Sequence, residues 1–156
     1  AHGFENYLVE VGGEMRVAGA KPGGEAWRVG IEAPVRDRRD VYDALGITGT
    51  AVASSGDYRN YVEIDGRFYS HTIDPRTGAP VTHPTGGVTE LAPTAGYADA
   101  LATALLVLGA EDGLELAEGE NIAALFLTRT ADGVSATVSS RFDALRRGSA
   151  NLRDTP

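Results

Sequence analysis

Short runs of alternating or β-branched apolar residues in the first half of the chain predict a series of β-strands. These runs are residues 6–11, 14–18, 27–33, 49–54, 61–64 and 67–70. Gly12-Gly13 separates the first two runs and Asp65-Gly66 separates the last two, and both dipeptides are typical of tight hairpin turns. The pattern therefore predicts a meandering antiparallel sheet.

The spacing of apolar residues changes after residues 87–91, which predict one more strand. From residue 95 to residue 108, small and branched apolar side chains are dense enough to predict a buried helix, and Gly109 then fits a left-handed cap. A shorter helix is expected over residues 111–117.

The last part of the chain predicts a closing hairpin and a short helix. The hairpin strands are expected over residues 121–128 and 134–138, on either side of Asp132-Gly133. A helix is expected over residues 140–147, begun by Ser140 as its cap with Asp143 three residues on.

Strands interrupted by a buried helix are typical of an α+β fold, here a mainly antiparallel sheet, rather than of a doubly wound one. At 156 residues, of which 42% are hydrophobic, the chain is long enough to enclose one core. We expect one domain over residues 1–147 and a loose C-terminal tail over residues 148–156.

The chain carries 22 acidic and 14 basic side chains, which gives a formal net charge of -8. Such a charge repels polyanions, so nucleic acid is not expected as a partner. The absence of cysteine excludes disulfides, thiolate metal sites and a cysteine nucleophile. Any metal bound by this chain must therefore be held by oxygen or imidazole ligands.

Asp99 and Thr103 lie four residues apart in the predicted apolar helix, which places both side chains on one face. Mg²⁺ prefers oxygen ligands and keeps positions open for water and substrate phosphate, so one carboxylate with one hydroxyl suits it. An unpaired aspartate on a buried helix is also costly to keep. The alternative is structural: Asp99 favours the first helical turn, and Thr103 bonds the carbonyl one turn back.

His71 stands between a predicted strand end and the Asp74-Pro75 turn, where the scaffold holds a side chain within reach of substrate. A neutral imidazole is able to accept a proton from a hydroxyl nucleophile there. The alternative is a histidine that hydrogen-bonds the following turn. His2 and His83 lack comparable neighbours, and we interpret them as loop residues.

Two segments rich in glycine and polar residues have both a structural and a functional interpretation. Asp74-Pro75-Arg76-Thr77-Gly78 predicts a turn, in which Arg76 either grips a phosphate or pairs with a nearby carboxylate. In Ser55-Gly56-Asp57-Tyr58, the glycine either lets backbone amides approach a ligand or marks a bulge. A hairpin turn explains Gly12-Gly13 without any ligand.

Five segments, taken in order, closely resemble the ApbE family, the FAD:protein FMN transferases once described as thiamine biosynthesis lipoproteins. They are residues 6–14, 27–34, 55–58, 71–78 and 98–104. The similarity runs over residues 4–142 and corresponds to the C-terminal half of that family's usual chain. The resemblance therefore implies a fragment, a nicked chain or one part of an assembly, completed by the N-terminal half or by a second copy.

The resemblance implies a T-fold-related ApbE-like domain and a specific reaction. In that family the pyrophosphate of FAD is split, FMN is attached through a phosphoester to a threonine hydroxyl of a target protein, and AMP leaves. Known targets are respiratory redox-complex subunits, and family members are often periplasmic or membrane-anchored. The expected substrate is thus FAD, the expected cofactor Mg²⁺, and the expected partner a redox-complex subunit.

Carried over residue by residue, the resemblance assigns roles to four positions of this chain. Asp99 and Thr103 match the side-chain Mg²⁺ ligands, and His71 matches the base for the acceptor threonine. Ile73 matches a position that touches the flavin nucleotide. Two alternatives stay open: a flavin-binding or interaction module without transferase activity, and a FAD pyrophosphatase in which water replaces threonine.

Overall fold

The computed structural model of the chain describes residues 3–36 and 38–150. Its strands are β1 (Tyr7–Val11), β2 (Glu14–Ala18), β3 (Trp27–Glu32), β4 (Val41–Ile47), β5 (Ala51–Gly56), β6 (Tyr61–Ile64), β7 (Arg67–Ser70), β8 (Ile73–Asp74), β9 (Ala79–Pro80), β10 (Thr85–Ala92), β11 (Ala123–Thr130) and β12 (Gly133–Val138). Its helices are α1 (Ala95–Gly119) and α2 (Ser140–Ala150). Within the described residues, neither helix has the length and apolarity needed to cross a membrane.

Six strands form one antiparallel sheet in the order β1-β2-β5-β10-β11-β12. Every residue of β10 is buried, because layers cover both faces of the sheet. Helix α1 covers one face, where Val88 and Leu105 share a core cluster. The β3–β4 hairpin and α2 cover the other face, where Ile31 and Phe142 pack with Leu91. The predicted α+β class, mainly antiparallel with a packed helix, is confirmed.

The predicted strands are confirmed to within two residues at each end, and β4 is the long strand that the sequence pattern missed. Asp43 and Gly46 interrupt its apolar residues, so the segment shows no regular alternation. Pairing with β3 along its whole length stabilises it as a strand instead. The turn at Asp65 and Gly66 has the two positive φ angles, 50° and 73°, that a type I′ turn requires.

Gly109 divides α1 into two helical segments, as the sequence predicted. Its φ of 81° and ψ of 176° are not helical. The break leaves the N–H of Ala110 without a helical acceptor, and it donates to Thr85 Oγ1 at 2.9 Å. A Cβ on Gly109 would lie 3.0 Å from the His83 ring. Both the backbone angle and the close ring therefore require glycine here.

The prediction that the first part of α1 is a buried helix is correct for one face alone. Ala98, Ala102 and Leu105 are fully buried against the sheet. Asp99 and Thr103 are exposed, on a neighbouring strip of the helix surface that borders the edge of β5. The expected cost of an unpaired aspartate on a buried helix therefore does not arise, because Asp99 is solvated.

Helix α2 is capped by Ser139, not by Ser140 as predicted. Ser139 Oγ accepts the N–H of Phe142 at 3.2 Å, which is the bond expected of an N-cap. The N–H and the hydroxyl of Ser140 instead donate to Glu118 Oε1 at 2.7 and 3.1 Å. The helix continues three residues past the expected end, and residues 151–156 of the expected tail lie outside the described residues.

Glu90 of β10 carries a buried carboxyl group, and the residue as a whole is 2% exposed. It faces Ala53 of β5 and Ala124 of β11 on the side that α1 covers. Its Oε2 atom has no hydrogen-bond partner among the described residues. Burial raises the pKa of Glu90 to about 7, because the ionised form loses its solvation.

We expect Gly109→Ala to lower the free energy of unfolding by about 1–2 kcal/mol, because an L-residue is strained at positive φ. Gly96→Ala is the matched control, since Gly96 is helical and a Cβ there meets nothing within 4 Å. The control should be unchanged or more stable by up to about 1 kcal/mol. Urea unfolding measures both, and a Gly109→Ala protein as stable as the original would contradict the assignment.

The pKa of Glu90 predicts a pH-dependent stability. The pKa of Glu90 in the folded chain, about 7, exceeds the ordinary value of 4.5. The stability that Glu90 contributes is therefore complete below pH 4.5 and is lost as pH rises through 7. The full loss corresponds to about 3 kcal/mol. Glu90→Gln should remove this decline, which urea unfolding at pH 5 and pH 8 measures. Glu115 is exposed, so the control Glu115→Gln should keep the decline in stability between pH 5 and pH 8. A decline in Glu90→Gln as large as in the original chain would refute the raised pKa of Glu90.

Candidate functional site

A cavity of about 790 Å³ opens beside strand β5, where the sheet is incomplete. Within the described residues, β2 pairs with β5 only at Met15 with Val52 and at Arg16 with Ala51. Residues 53–56 of β5 continue past this pairing and form one wall of the cavity. The β1–β2 turn, β3 and the beginning of β4 form other parts of the lining.

His71, Asp99 and Thr103 all line this cavity. The exposed face of α1 presents Asp99 and Thr103, and the segment after β7 presents His71. Residues 58–60, from the loop after β5, lie on the same lining. Three of the four residues that the sequence singled out are therefore brought together from two distant parts of the chain.

The hydroxyl of Thr103 lies 2.7 Å from Ser55 Oγ, across the gap between α1 and β5. This hydrogen bond differs from the structural alternative, in which Thr103 bonds a carbonyl one turn back in its own helix. No group of three His, Cys, Asp or Glu side chains within the described residues is arranged to hold a metal. The Asp99 carboxylate and the Thr103 hydroxyl are hard oxygen donors, which suit Mg²⁺ when water and phosphate oxygens complete its shell.

The imidazole of His71 is oriented by a main-chain carbonyl. Its Nδ1 lies 2.8 Å from the carbonyl oxygen of Asn60, and its backbone N–H donates to the same oxygen at 3.3 Å. A carbonyl accepts and never donates, so Nδ1 carries the proton and Nε2 of the neutral ring is left as a proton acceptor. The ring therefore bonds the preceding loop and not the following turn.

Charges on the cavity lining are mixed, with an excess of acids. The acidic residues are Glu10, Glu14, Glu32, Asp40 and Asp99, and the basic ones are Arg39 and Arg59. Glu32 accepts hydrogen bonds from Arg59, including one from Nε at 3.3 Å. An excess of carboxylates attracts cations and disfavours a bare anion in this cavity.

Tyr58 is 9% exposed and forms part of the same wall. Burial, and secondarily the neighbouring Glu32 carboxylate, raise the pKa of Tyr58 to about 12. A Cβ on Gly56 would lie 2.2 Å from the Tyr58 ring, so this glycine makes room for the tyrosine. The register shift in this part of the sheet lies on the neighbouring strand β10, between Thr85 and Gly87, and not at Gly56.

An ion pair made by Asp57 holds the loop that follows β5 in place. Its carboxylate forms a bidentate ion pair with Arg129 of β11, with one Nη1–Oδ2 distance of 2.9 Å. Arg129 Nε also donates to the carbonyl of Pro34 at 3.0 Å. The ion pair ties three separate segments together beneath the residues that line the cavity.

Other residues singled out in the sequence lie elsewhere. The side chain of Ile73 is half exposed and does not line the cavity. Arg76 pairs with Asp74, with Nη2 2.9 Å from Oδ2, and this bond lowers the pKa of Asp74. His83 packs against Gly109, and His2 lies outside the described residues. Gly12-Gly13 forms the expected hairpin turn and also lines the cavity.

Sequence reasoning missed Glu32 and Arg59 as parts of the cavity lining, whereas Tyr58 lies in the segment 55–58 that the sequence singled out. Glu32 ends a strand, and its partner lies 27 residues later, so no local spacing connects them. The one available signal was the run of polar residues that continues from Asp57 to Asn60, directly after the glycine. That run identifies a loop, but its contacts with β3 follow from the tertiary structure.

Comparison of the chain with known proteins identifies one family. The ApbE family model matches residues 1–126. The chain is 45% identical over 142 residues to the FAD:protein FMN transferase of Vibrio cholerae serotype O1, covering 91% of this chain and 42% of that protein. It is 43% identical over 142 residues to the protein of the same name from Haemophilus influenzae, covering 90% of this chain and 41% of that one.

A solved structure shares the fold as well. The crystal structure of Pseudomonas stutzeri flavinyl transferase ApbE, apo form, superposes with a TM-score of 0.79 at 46% identity, covering 92% of this chain and 44% of that chain. The chain thus spans about two fifths of the length of the curated relatives it matches. With a family match over most of its residues, and with close relatives in both sequence and structure, this chain belongs to the ApbE family.

Proposed function

We propose that this chain forms the catalytic part of a Mg²⁺-dependent FAD:protein FMN transferase. FMN is transferred from FAD to a threonine hydroxyl of an acceptor protein, a redox-complex subunit, and AMP is released. The observation that carries the proposal is the shared cavity, in which a histidine with a free Nε2 faces the same space as a pair of hard oxygen donors. The names of the relatives support the same chemistry.

Asp99 and Thr103 hold the metal ion in this proposal, with Ser55 as the hydrogen-bond partner of the threonine. When bound, Mg²⁺ neutralises charge on the pyrophosphate of FAD. The exposure of Asp99 favours this role, because an open carboxylate leaves room for water and phosphate oxygens in the same coordination shell. The acidic lining favours entry of a divalent cation.

His71 acts as the base. Its Nε2 accepts the proton of the acceptor threonine, while the Asn60 carbonyl keeps Nδ1–H in place and stabilises the imidazolium that forms. The threonine oxygen then forms a bond to the phosphorus of the FMN half, and the bond from that phosphorus to the oxygen of AMP breaks. Ile73, which lies two residues beyond His71, contacts the flavin nucleotide where the ligand extends out of the cavity.

FAD pyrophosphatase activity is the second candidate, because His71 is exposed and water therefore has access to it. With water in place of threonine, the same bond breaks and the products are free FMN and AMP. The two reactions differ in whether AMP release needs an acceptor.

The proposal is tested by incubating the chain with FAD, Mg²⁺ and an acceptor protein that the Vibrio cholerae relative labels in parallel. Intact mass of the acceptor should rise by one FMN, and chromatography should detect AMP in equal amount. AMP and free FMN without the acceptor would favour the pyrophosphatase. FAD binding with neither product would reduce the chain to a flavin-binding module. The same assay is run with the chain alone and with the chain supplemented by the N-terminal part of the Vibrio cholerae relative, and no binding of FAD in either case would refute the proposal.

We expect Asp99→Asn to abolish Mg²⁺-dependent FMN transfer, because an amide oxygen replaces the only carboxylate that α1 offers to the cavity among the described residues. The fold should be unchanged, since Asp99 is exposed. Asp112→Asn removes another exposed carboxylate of the same helix, outside the cavity lining, and should retain full activity. Titration of the rate with Mg²⁺ measures both variants, and an unaltered Asp99→Asn curve would rule out the metal assignment.

We expect His71→Gln to reduce the rate constant of transfer by about 10²–10⁴, the usual contribution of a general base. Equilibrium binding of FAD, measured by flavin fluorescence, should stay unchanged. Asn60→Ala is the matched control, because the bond to His71 uses the main-chain carbonyl and survives the loss of that side chain. Equal losses of rate in the two variants would show that His71 acts through loop structure and not as a base.

A further inference from the structure

A second cavity, of about 530 Å³, lies against strand β7 and shares no lining residue with the first. Arg67, Phe68, Tyr69 and Ser70 of β7 form one wall. Residues 81–84 and the ion pair of Asp57 with Arg129 form much of the rest. The two cavities meet at the end of β7, where Ser70 lines the second and the next residue along the chain lines the first.

Two residues that line this second cavity carry buried polar atoms without partners among the described residues. Four buried side-chain atoms have no hydrogen-bond partner among the described residues: Arg36 Nε, both ring nitrogens of His83, and Glu90 Oε2. Arg36 and His83 both line the second cavity, so three of these four atoms belong to residues of its lining. A buried donor without a partner is destabilising. Arg36 Nε–H and the one N–H of a neutral His83 ring are donors, so they favour a ligand that accepts hydrogen bonds.

The positive charge of the cavity is also only partly compensated. Asp57 neutralises Arg129, whereas Arg36 and Arg67 have no acidic partner among the described residues. The guanidinium of Arg36 is held by aromatic rings instead, 4.4 Å from the centroid of Phe68 and 5.5 Å from that of Tyr61. These contacts fix its position without satisfying its Nε–H.

We propose that the second cavity is an oxyanion-binding site for a carboxylate or phosphate group, with Arg36, Arg67 and His83 as its donors. Two guanidiniums at one concave surface, both without an acidic partner within residues 3–36 and 38–150, form the usual recognition element for such groups. The site stands out in a chain whose net charge is -8 and whose first cavity is rich in acids. It is independent of the proposed transferase reaction, because none of its residues lines the first cavity.

The apolar parts of the lining indicate that the group enters on an organic stem. Phe68, Val81 and Pro84 contribute to the cavity beside the cations, so a carboxylate or phosphate with a short apolar stem fits better than a fully hydrated ion. Inorganic phosphate and acetate carry the two anionic groups in their simplest form. Each therefore serves as a separate probe.

The test is an NMR titration of the three histidine rings with sodium phosphate and, separately, with sodium acetate, each at an ionic strength matched with sodium chloride. The His83 signals, identified by their loss in His83→Gln, should shift saturably with at least one anion, and the responsive anion identifies the group. Arg67→Gln should weaken that binding by about tenfold, the loss of one charged hydrogen bond. Arg141→Gln removes an exposed arginine of α2 outside the cavity and should leave binding unchanged.

Arg36→Lys provides a second variant that keeps the charge but removes the buried Nε–H. It should also weaken binding, and circular dichroism checks that its fold is retained. Shifts that never saturate with either anion would overturn the proposal. So would saturable shifts that are the same in Arg67→Gln as in the original chain.

Discussion

Close packing of helix α1 against strands β5 and β10 depends on three alanines. Ala53, Ala92 and Ala98 form a buried contact in which no side chain is longer than a methyl group. This lets the helix approach the sheet closely enough for Thr103 to reach Ser55 at 2.7 Å. A larger side chain at this contact would push the helix outward and separate two walls of the cavity, so small-residue packing sets the geometry of the candidate metal ligands.

Much of the fold was predictable because local chemistry and tertiary structure agree. The tight turns, the strand runs and the glycine that breaks α1 each have a local cause that the sequence displays. Strand β4 was not predictable, because its apolar residues are interrupted and its conformation comes from pairing with β3. The N-cap of α2 is Ser139 and not the predicted Ser140 for a similar reason, because Glu118 of the distant α1 binds Ser140.

The site was predictable to the extent that single positions carry recognisable chemistry. His71, Asp99 and Thr103 were singled out that way as candidates, and all three line one cavity. The charge arrangement was not predictable, because Glu32 and Arg59 meet only in the folded chain. For the same reason, the strongly acidic composition did not predict a basic second cavity. Its Arg36 comes from the loop after β3 and its Arg67 comes from β7.

The hydrogen bond between Thr103 and Ser55 can run in either direction, since each hydroxyl both donates and accepts. A cation bound to the threonine oxygen would occupy a lone pair there and would turn the threonine into the donor and the serine into the acceptor. Arrival of the ion would thereby impose a polarity on a symmetrical contact. Ser55 carries no charge and touches no ion in this arrangement. The direction of its hydrogen bond would nevertheless depend on whether the neighbouring site is filled.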